Sequence, residues 1–181
     1  MSTTECQCTA VNELSGDLCE PCTKEYNRTV LKRPVVKFKK LRSGAEIPKY
    51  QTAGASGMDL VFCPENDVGV LICPNGMSGV YSLATGLAME IPPGYEAQVR
   101  PRSGLAAKYG IMVVNSPGSI DSDYRGEIKV LLTSIKHEFY ISPGDRIAQL
   151  VIAPVAQAEV EEVEELGSTE RGAGGFGSTG K

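Results

Sequence analysis

The chain has 181 residues, with 18 Lys and Arg against 22 Asp and Glu, for a formal net charge of −4. That length suits one ordinary domain with tails and is too short for two full domains. The acid excess argues against a general nucleic-acid binder, whose affinity comes from clustered cations that release counterions, so an anionic substrate must be met by local positive charge.

The opening MSTTECQCTA has neither a basic stretch nor an apolar core, so no secretory signal is expected. The longest apolar stretch, residues 147–156, is interrupted by Gln149 and Pro154. It falls well short of the roughly 18 residues a membrane span needs, and a soluble intracellular protein without membrane contact is expected. Residues 1–34 are polar and rich in cysteine. Cys6-x-Cys8 and, ten residues on, Cys19-x-x-Cys22 offer four thiolates that could close one tetrahedral zinc, or else form a mobile tail with free cysteines. Cys63 and Cys73 stand apart from these four.

From Val35 onward, short apolar or alternating runs recur between turn signals and predict strands over residues 35–41, 58–63, 80–83, 87–91, 95–99, 111–114, 127–135, 138–141 and 147–155. Pro92-Pro93-Gly94, Ser116-Pro117-Gly118 and Ser142-Pro143-Gly144 punctuate them. So many short strands imply a sandwich, jelly roll or barrel. One helix is predicted, over residues 103–109, with Ser103 able to cap its start and Gly110 its end. The acidic run at 159–165 reads as a solvated connection, and the Gly-rich residues 167–181 read as a tail that is mobile until a ligand or partner orders it.

Five segments carry chemistry. In Ala53-Gly54-Ala55-Ser56-Gly57-Met58-Asp59-Leu60, a carboxylate at a strand start could touch a metal ion or its waters, although Asp beside a turn is commonplace. In Pro101-Arg102-Ser103-Gly104-Leu105, a helix start next to a guanidinium makes a phosphate cradle, or simply a capped turn. Residues 115–127, NSPGSIDSDYRGE, form a hairpin-length connection. There Asn115 suits a pyrimidine edge and one carboxylate, of Asp121 or Asp123, could serve as general base. In the turn and strand at residues 142–150, Asp145 and Arg146 could pair with each other, and packing is the expected role for most of the segment. His137, the sole histidine, is not expected to be catalytic. The tail from Arg171 to Lys181 opens like a phosphate-binding Walker loop, but it lacks the hydroxyl residue after Lys and any following helix. What remains is a strap with one guanidinium and one aromatic ring, able to close on a nucleotide.

In this order and spacing, AGASGMDL, PRSGLAAKYG, NSPGSIDSDYRGEI, GDRIAQLVI and RGAGGFGSTG closely resemble the five motifs of the trimeric dUTPase family, from about Val35 to the end. The resemblance implies an all-β, jelly-roll-like domain at 35–166 with one short helix and flexible tails at 1–34 and 167–181. It also implies a homotrimer whose three active sites each draw on more than one subunit. The implied activity is magnesium-dependent hydrolysis of dUTP to dUMP and pyrophosphate, which limits uracil in DNA and supplies dUMP for dTTP synthesis. By that likeness Asp121 is the general base for water attack at the α-phosphorus, and Tyr124 packs on the deoxyribose. Asn115 and the hairpin backbone at Gly118 and Ile120 read uracil. Arg102, Ser103 and Gly104 hold phosphates, while Asp59 and Gln149 contact a Mg2+ ion through water. From another subunit Arg171 clasps the terminal phosphate, Phe176 covers the base, and Gly177, Ser178 and Thr179 complete the cover and the phosphate contacts. A dCTP deaminase is the alternative within the fold. A nucleotide-sensing regulatory protein that works through residues 1–34 is the alternative outside enzymology.

Overall fold

Strand alternation decides which side chains enter the core, and the inner strand Lys129–Ser134 shows the rule: Val130, Leu132 and Ser134 are buried while Lys129 is exposed. The computed structural model describes residues 33–74 and 79–175. In chain order they form β1 (Lys37–Lys40), β2 (Met58–Val61), β3 (Val70–Ile72), β4 (Tyr81–Ala84), β5 (Leu87–Glu90), β6 (Tyr95–Arg100), α1 (Ser103–Tyr109), β7 (Ile111–Val113), β8 (Gly118–Ile120), β9 (Lys129–Ser134), β10 (Phe139–Ile141) and β11 (Arg146–Pro154). All strand pairs among the described residues are antiparallel, in sheets ordered β2-β11-β6-β8, β4-β9-β7, β1-β5 and β10-β3. Among the described residues this is the expected all-β jelly roll with one short helix.

The sheets turn their apolar faces into one cluster. The first sheet contributes Leu60, Ala97, Val99 and Leu150; the second contributes Leu83, Ile111, Val130 and Leu132; and the two-stranded pairs add Leu87, Ile72 and Ile141. Each of the Leu, Ile and Val side chains among them removes enough apolar area from water to stabilise the fold by about 1.5–3 kcal/mol, more than any surface pair supplies.

Nine of the predicted strands are present, and the helix spans the residues expected for it. Two strands went unread. β3 has only three residues between turn-like stretches, and β8 lies inside Pro117-Gly118-Ser119-Ile120, which reads as a turn. β8 changes the picture of the 115–127 connection. β7 and β9 do pair, but between them the chain crosses to the other sheet, adds β8 beside β6, and returns, so the segment is not a plain hairpin.

The helix ends differ from expectation at one terminus. Gly110 takes the left-handed conformation, φ 69°, and closes the helix through its N–H to Ala106 O. At the start, Arg102 occupies the cap position in extended conformation with no side-chain cap, and Ser103 is the first helical residue rather than the cap. The first N–H groups of α1 are thus left without a side-chain partner.

Gly86, between β4 and β5, adopts φ 67°, and a Cβ there would sit 2.9 Å from both the Ala45 Cβ and the Arg42 Cγ. Gly86→Ala therefore combines a left-handed L-residue with a steric overlap and should destabilise the protein by about 2–4 kcal/mol. Urea unfolding at matched protein concentration measures this; an unchanged midpoint would show that this turn can relax without loss.

Candidate active site

Four of the five chemical segments reach the surface through one sheet. Antiparallel register sets Asp59 of β2 opposite Gln149 of β11, and Gln149 opposite Arg100 of β6, so these side chains share the outward face. The chain leaves β6 at Arg100 and enters α1 after only Pro101 and Arg102, which brings the helix start beside that row. A cleft of about 250 Å³ results, lined by Arg102, Ser103, Gly104, Leu105, Lys108, Tyr109 and Gln149. A Cβ at Gly104 would meet nothing, so the backbone there faces open space that a ligand can approach closely.

Asp59 is 8% exposed, and its carboxylate is shared between two guanidinium groups. Arg102 Nε donates to Oδ1 at 3.0 Å and Arg146 Nη1 donates to Oδ2 at 3.2 Å. Arg102 Nη1 also donates to the Arg146 carbonyl at 3.2 Å, closing the group. The expected pairing of Asp145 with Arg146 is not formed: Asp145 Oδ2 accepts the Ser142 N–H at 2.8 Å, which tightens the turn before β11. Arg146 was missed as a site residue because its partner lies 87 positions away in the chain. Only the β2–β11 register brings the two together.

A hard cation that keeps its water shell takes oxygen contacts, and an Asp carboxylate beside a Gln amide oxygen provides them. Asp59 is already charge-balanced by two cations, which suits contact through water better than direct ligation. Among the described residues no group of three or more His, Cys, Asp or Glu could hold a metal by itself. The expected zinc ligands Cys6, Cys8, Cys19 and Cys22 lie outside the described residues.

The second group belongs to the loop around β8. The Asn115 amide lies against Gly118, where a Cβ would come within 2.9 Å of its Nδ2, so these two expected uracil contacts are brought together. Ile120 points into the core, 9% exposed, which leaves only its backbone for recognition. Asp121 follows directly, is exposed, and accepts the Tyr124 N–H on its carbonyl at 3.2 Å. Residues 122 and 123 turn there, so Asp121 and Asp123 do not lie on one extended strand. Asp121 faces a separate hollow of about 370 Å³, shared with Tyr95, Glu96, Asp123, Val155 and Gln157. The Tyr124 hydroxyl donates to the Glu127 carbonyl at 3.1 Å, and Arg125 Nη1 staples the turn through the Ser122 carbonyl at 2.7 Å.

The two hollows share no lining residue. Asp121 stands two strand spacings and four residues from Gln149 by register, roughly 16 Å. A third hollow, about 470 Å³ beside Arg42, Phe62 and Cys63, contains none of the expected site residues. Arg171 lies far along the exposed arm after β11, its Nε donating to the Gly174 carbonyl at 2.8 Å. Phe176, Gly177, Ser178 and Thr179 lie outside the described residues.

A family model for dUTPase matches residues 43–180. Over 147 residues the chain is 59% identical to the deoxyuridine 5'-triphosphate nucleotidohydrolase of Nautilia profundicola, covering 81% of this chain and 99% of that protein. Its fold superposes with TM-score 0.72 on the dUTPase of Staphylococcus bacteriophage 80alpha solved with dUPNHPP, at 26% identity, covering 81% of this chain and 99% of that one. It also superposes with TM-score 0.65 on a variant dUTPase from phage phi11 of S. aureus, described for the coordination of a structural Mg(II) ion, at 22% identity, covering 74% and 99%. With a family match over most of its length and a relative identical at more than half of the aligned positions, this chain belongs to the dUTPase family.

Proposed function

We propose that this chain hydrolyses dUTP to dUMP and pyrophosphate, and does so as a homotrimer whose sites are each assembled from more than one copy. The observation that carries the reading is the separation of the two hollows. A general base must come within hydrogen-bond reach of its water. With phosphates held at Arg102, Ser103 and Gly104 in the cleft that Gln149 lines, the Asp121 of the same copy stands roughly 16 Å from Gln149 and faces a hollow that shares no residue with that cleft. An Asp121 from a neighbouring copy resolves the mismatch. The arm after β11 points the same way: Val160 is 96% and Leu166 89% exposed, apolar side chains that gain a partner if the arm crosses to another copy.

Within such a site Asn115 and the backbone at Gly118 and Ile120 pair with the uracil edge. Cytosine, with inverted donors and acceptors, would leave an unpaired polar group that costs about 1–3 kcal/mol. The Tyr124 ring packs on the deoxyribose where a 2'-hydroxyl would stand. Arg102, with the open N–H groups at Ser103 and Gly104, receives the phosphate chain. Asp59 and Gln149 hold water on the magnesium that accompanies the triphosphate, and that ion offsets negative charge on the phosphates. The Asp121 carboxylate takes a proton from water as its oxygen attacks the α-phosphorus, and the bond to the bridging oxygen of pyrophosphate breaks. The 167–181 strap, through Arg171, Phe176, Gly177, Ser178 and Thr179, closes over the β body of residues 35–166. Ordering it costs about 1–2 kcal/mol per residue, which ties closure to bound ligand. Zinc at Cys6, Cys8, Cys19 and Cys22 is a separate proposal for residues 1–34, checked by elemental analysis of the full chain. Among the described residues, no helix is long and apolar enough to cross a membrane.

The first test is a nucleotide panel with magnesium. Pyrophosphate should be released from dUTP far faster than from dTTP, dCTP or UTP, EDTA should abolish it, and ammonia from dCTP would instead indicate a deaminase. Asp121→Asn should keep dUTP affinity and lower kcat by about 10²–10⁴-fold. Removing residues 167–181 should also spare binding and lose most turnover, so near-normal turnover in both variants would overturn the site assignment. Chains carrying Asp121→Asn, unfolded and refolded together with tail-deleted chains, should recover activity that neither has alone. Failure to do so in mixed trimers verified by mass would place base and strap in the same copy.

A further inference from the structure

Tyr124 is the residue that this reading sets against the sugar, and its ring is not held by its own rotamer alone. A Cβ at Gly126 would run into the phenol, so the ring folds back over a residue that has no side chain. Its hydroxyl then ends on the Glu127 carbonyl at 3.1 Å. Where Glu127 goes, the ring follows.

Glu127 is anchored from outside the loop. Arg42 Nη1, just after β1, donates to Glu127 Oε1 at 2.7 Å and to the Cys63 carbonyl at 2.6 Å, and the Gly86 N–H donates to the same Oε1 at 2.8 Å. The two side chains are only 19% and 16% exposed, so solvent screens this pair far less than a surface bridge. The hydrogen bond that Arg42 donates to Glu127 raises the Arg42 pKa above its ordinary value, ahead of the opposing effect of burial. Arg42 Nη2 also stands 3.5 Å from Glu65 Oε1, a residue 87% exposed and free to move. Arg42 lines the third hollow, beside Phe62 and Cys63, and neither of the two hollows assigned to substrate. An ion pair here would serve fold stability alone if Glu127 were not three residues from Tyr124 and bonded to it.

We propose that Arg42 is a positioning residue for sugar selection: by fixing Glu127 it sets where the Tyr124 ring stands, and thereby how strictly a nucleotide with a 2'-hydroxyl is refused. The proposal rests on the reading of Tyr124 as the surface against the deoxyribose. Loss of the anchor leaves the ring free to yield, which weakens discrimination before it weakens the chemical step.

The test compares kcat and KM for dUTP and UTP in the full chain with magnesium. Arg42→Met should raise KM for dUTP, keep kcat within about threefold, and lower the dUTP-to-UTP ratio of kcat/KM by about tenfold. Arg42→Lys, whose ammonium can still meet Glu127, should recover most of that ratio. Tyr124→Phe cuts the link to the Glu127 carbonyl while keeping the ring, so Arg42→Met should add little in that background. A folded Arg42→Met protein with lowered thermal stability and an unchanged ratio would overturn the relay, and so would fully additive effects with Tyr124→Phe. An unchanged ratio in Tyr124→Ala would remove the sugar-packing reading itself and the relay with it. Glu127→Gln, which keeps an oxygen for Gly86 but loses the charge, substitutes if Arg42→Met does not fold; it too must lower the ratio, and an unaltered ratio rejects the proposal.

Discussion

A carboxylate that is all but buried cannot stand without compensation, and at Asp59 that compensation comes from two guanidinium groups. The demand reaches beyond the three side chains. Arg102 belongs to the link between β6 and α1, Arg146 opens β11, and Asp59 lies on β2, so satisfying one charge draws together the start of the helix and two strands. The open N–H groups of α1 and the Gln149 amide are delivered to the same place by that convergence. Asp59 offsets only one of the two guanidinium charges it pairs with, and Lys108 adds a further cation to the cleft. The cleft therefore keeps a local positive charge to meet phosphate, although the chain as a whole carries a net charge of −4.

The loop around β8 answers to a different constraint. It is anchored to one sheet through β8 beside β6 and to the other through β7 and β9, and its return leg is tied by Arg42 and the Gly86 N–H. Rigid scaffolds that hold exposed functional loops are a common division of labour, because precise placement needs hydrogen-bonded supports while chemistry needs access. Asp121, Asn115 and Tyr124 are all exposed, yet the backbone that bears them is bonded within a turn or against a strand.

Much of this was legible in the sequence. Periodicity gave nine strands because each presents several alternating apolar residues, and α1 was bounded by its Gly at the far end. β3 and β8 were not legible, since three residues beside Pro, Gly and Asp carry too little pattern to outweigh a turn reading. Ser103 was read as a cap from its residue type, but capping depends on backbone conformation, and Arg102 holds that position in extended form. The site residues in the described segments were recognised by motif order. Their ion pairs were not, because Asp59–Arg146 and Arg42–Glu127 join positions 87 and 85 residues apart, and no local rule links such distances. The split into two hollows is likewise a property of strand register across a whole sheet.

Because the segment after β7 crosses from one sheet to the other and back, it acts as a strut spanning the thickness of the sandwich. The spacing between the sheets is set by the volumes of Leu132, Val130, Val99 and their neighbours in one buried cluster. A change in that filling alters the height of the strut's feet, and its crest carries Asp121. Interior bulk and the aim of the carboxylate are thus a single mechanical quantity, so the size of core side chains is held in check by more than stability.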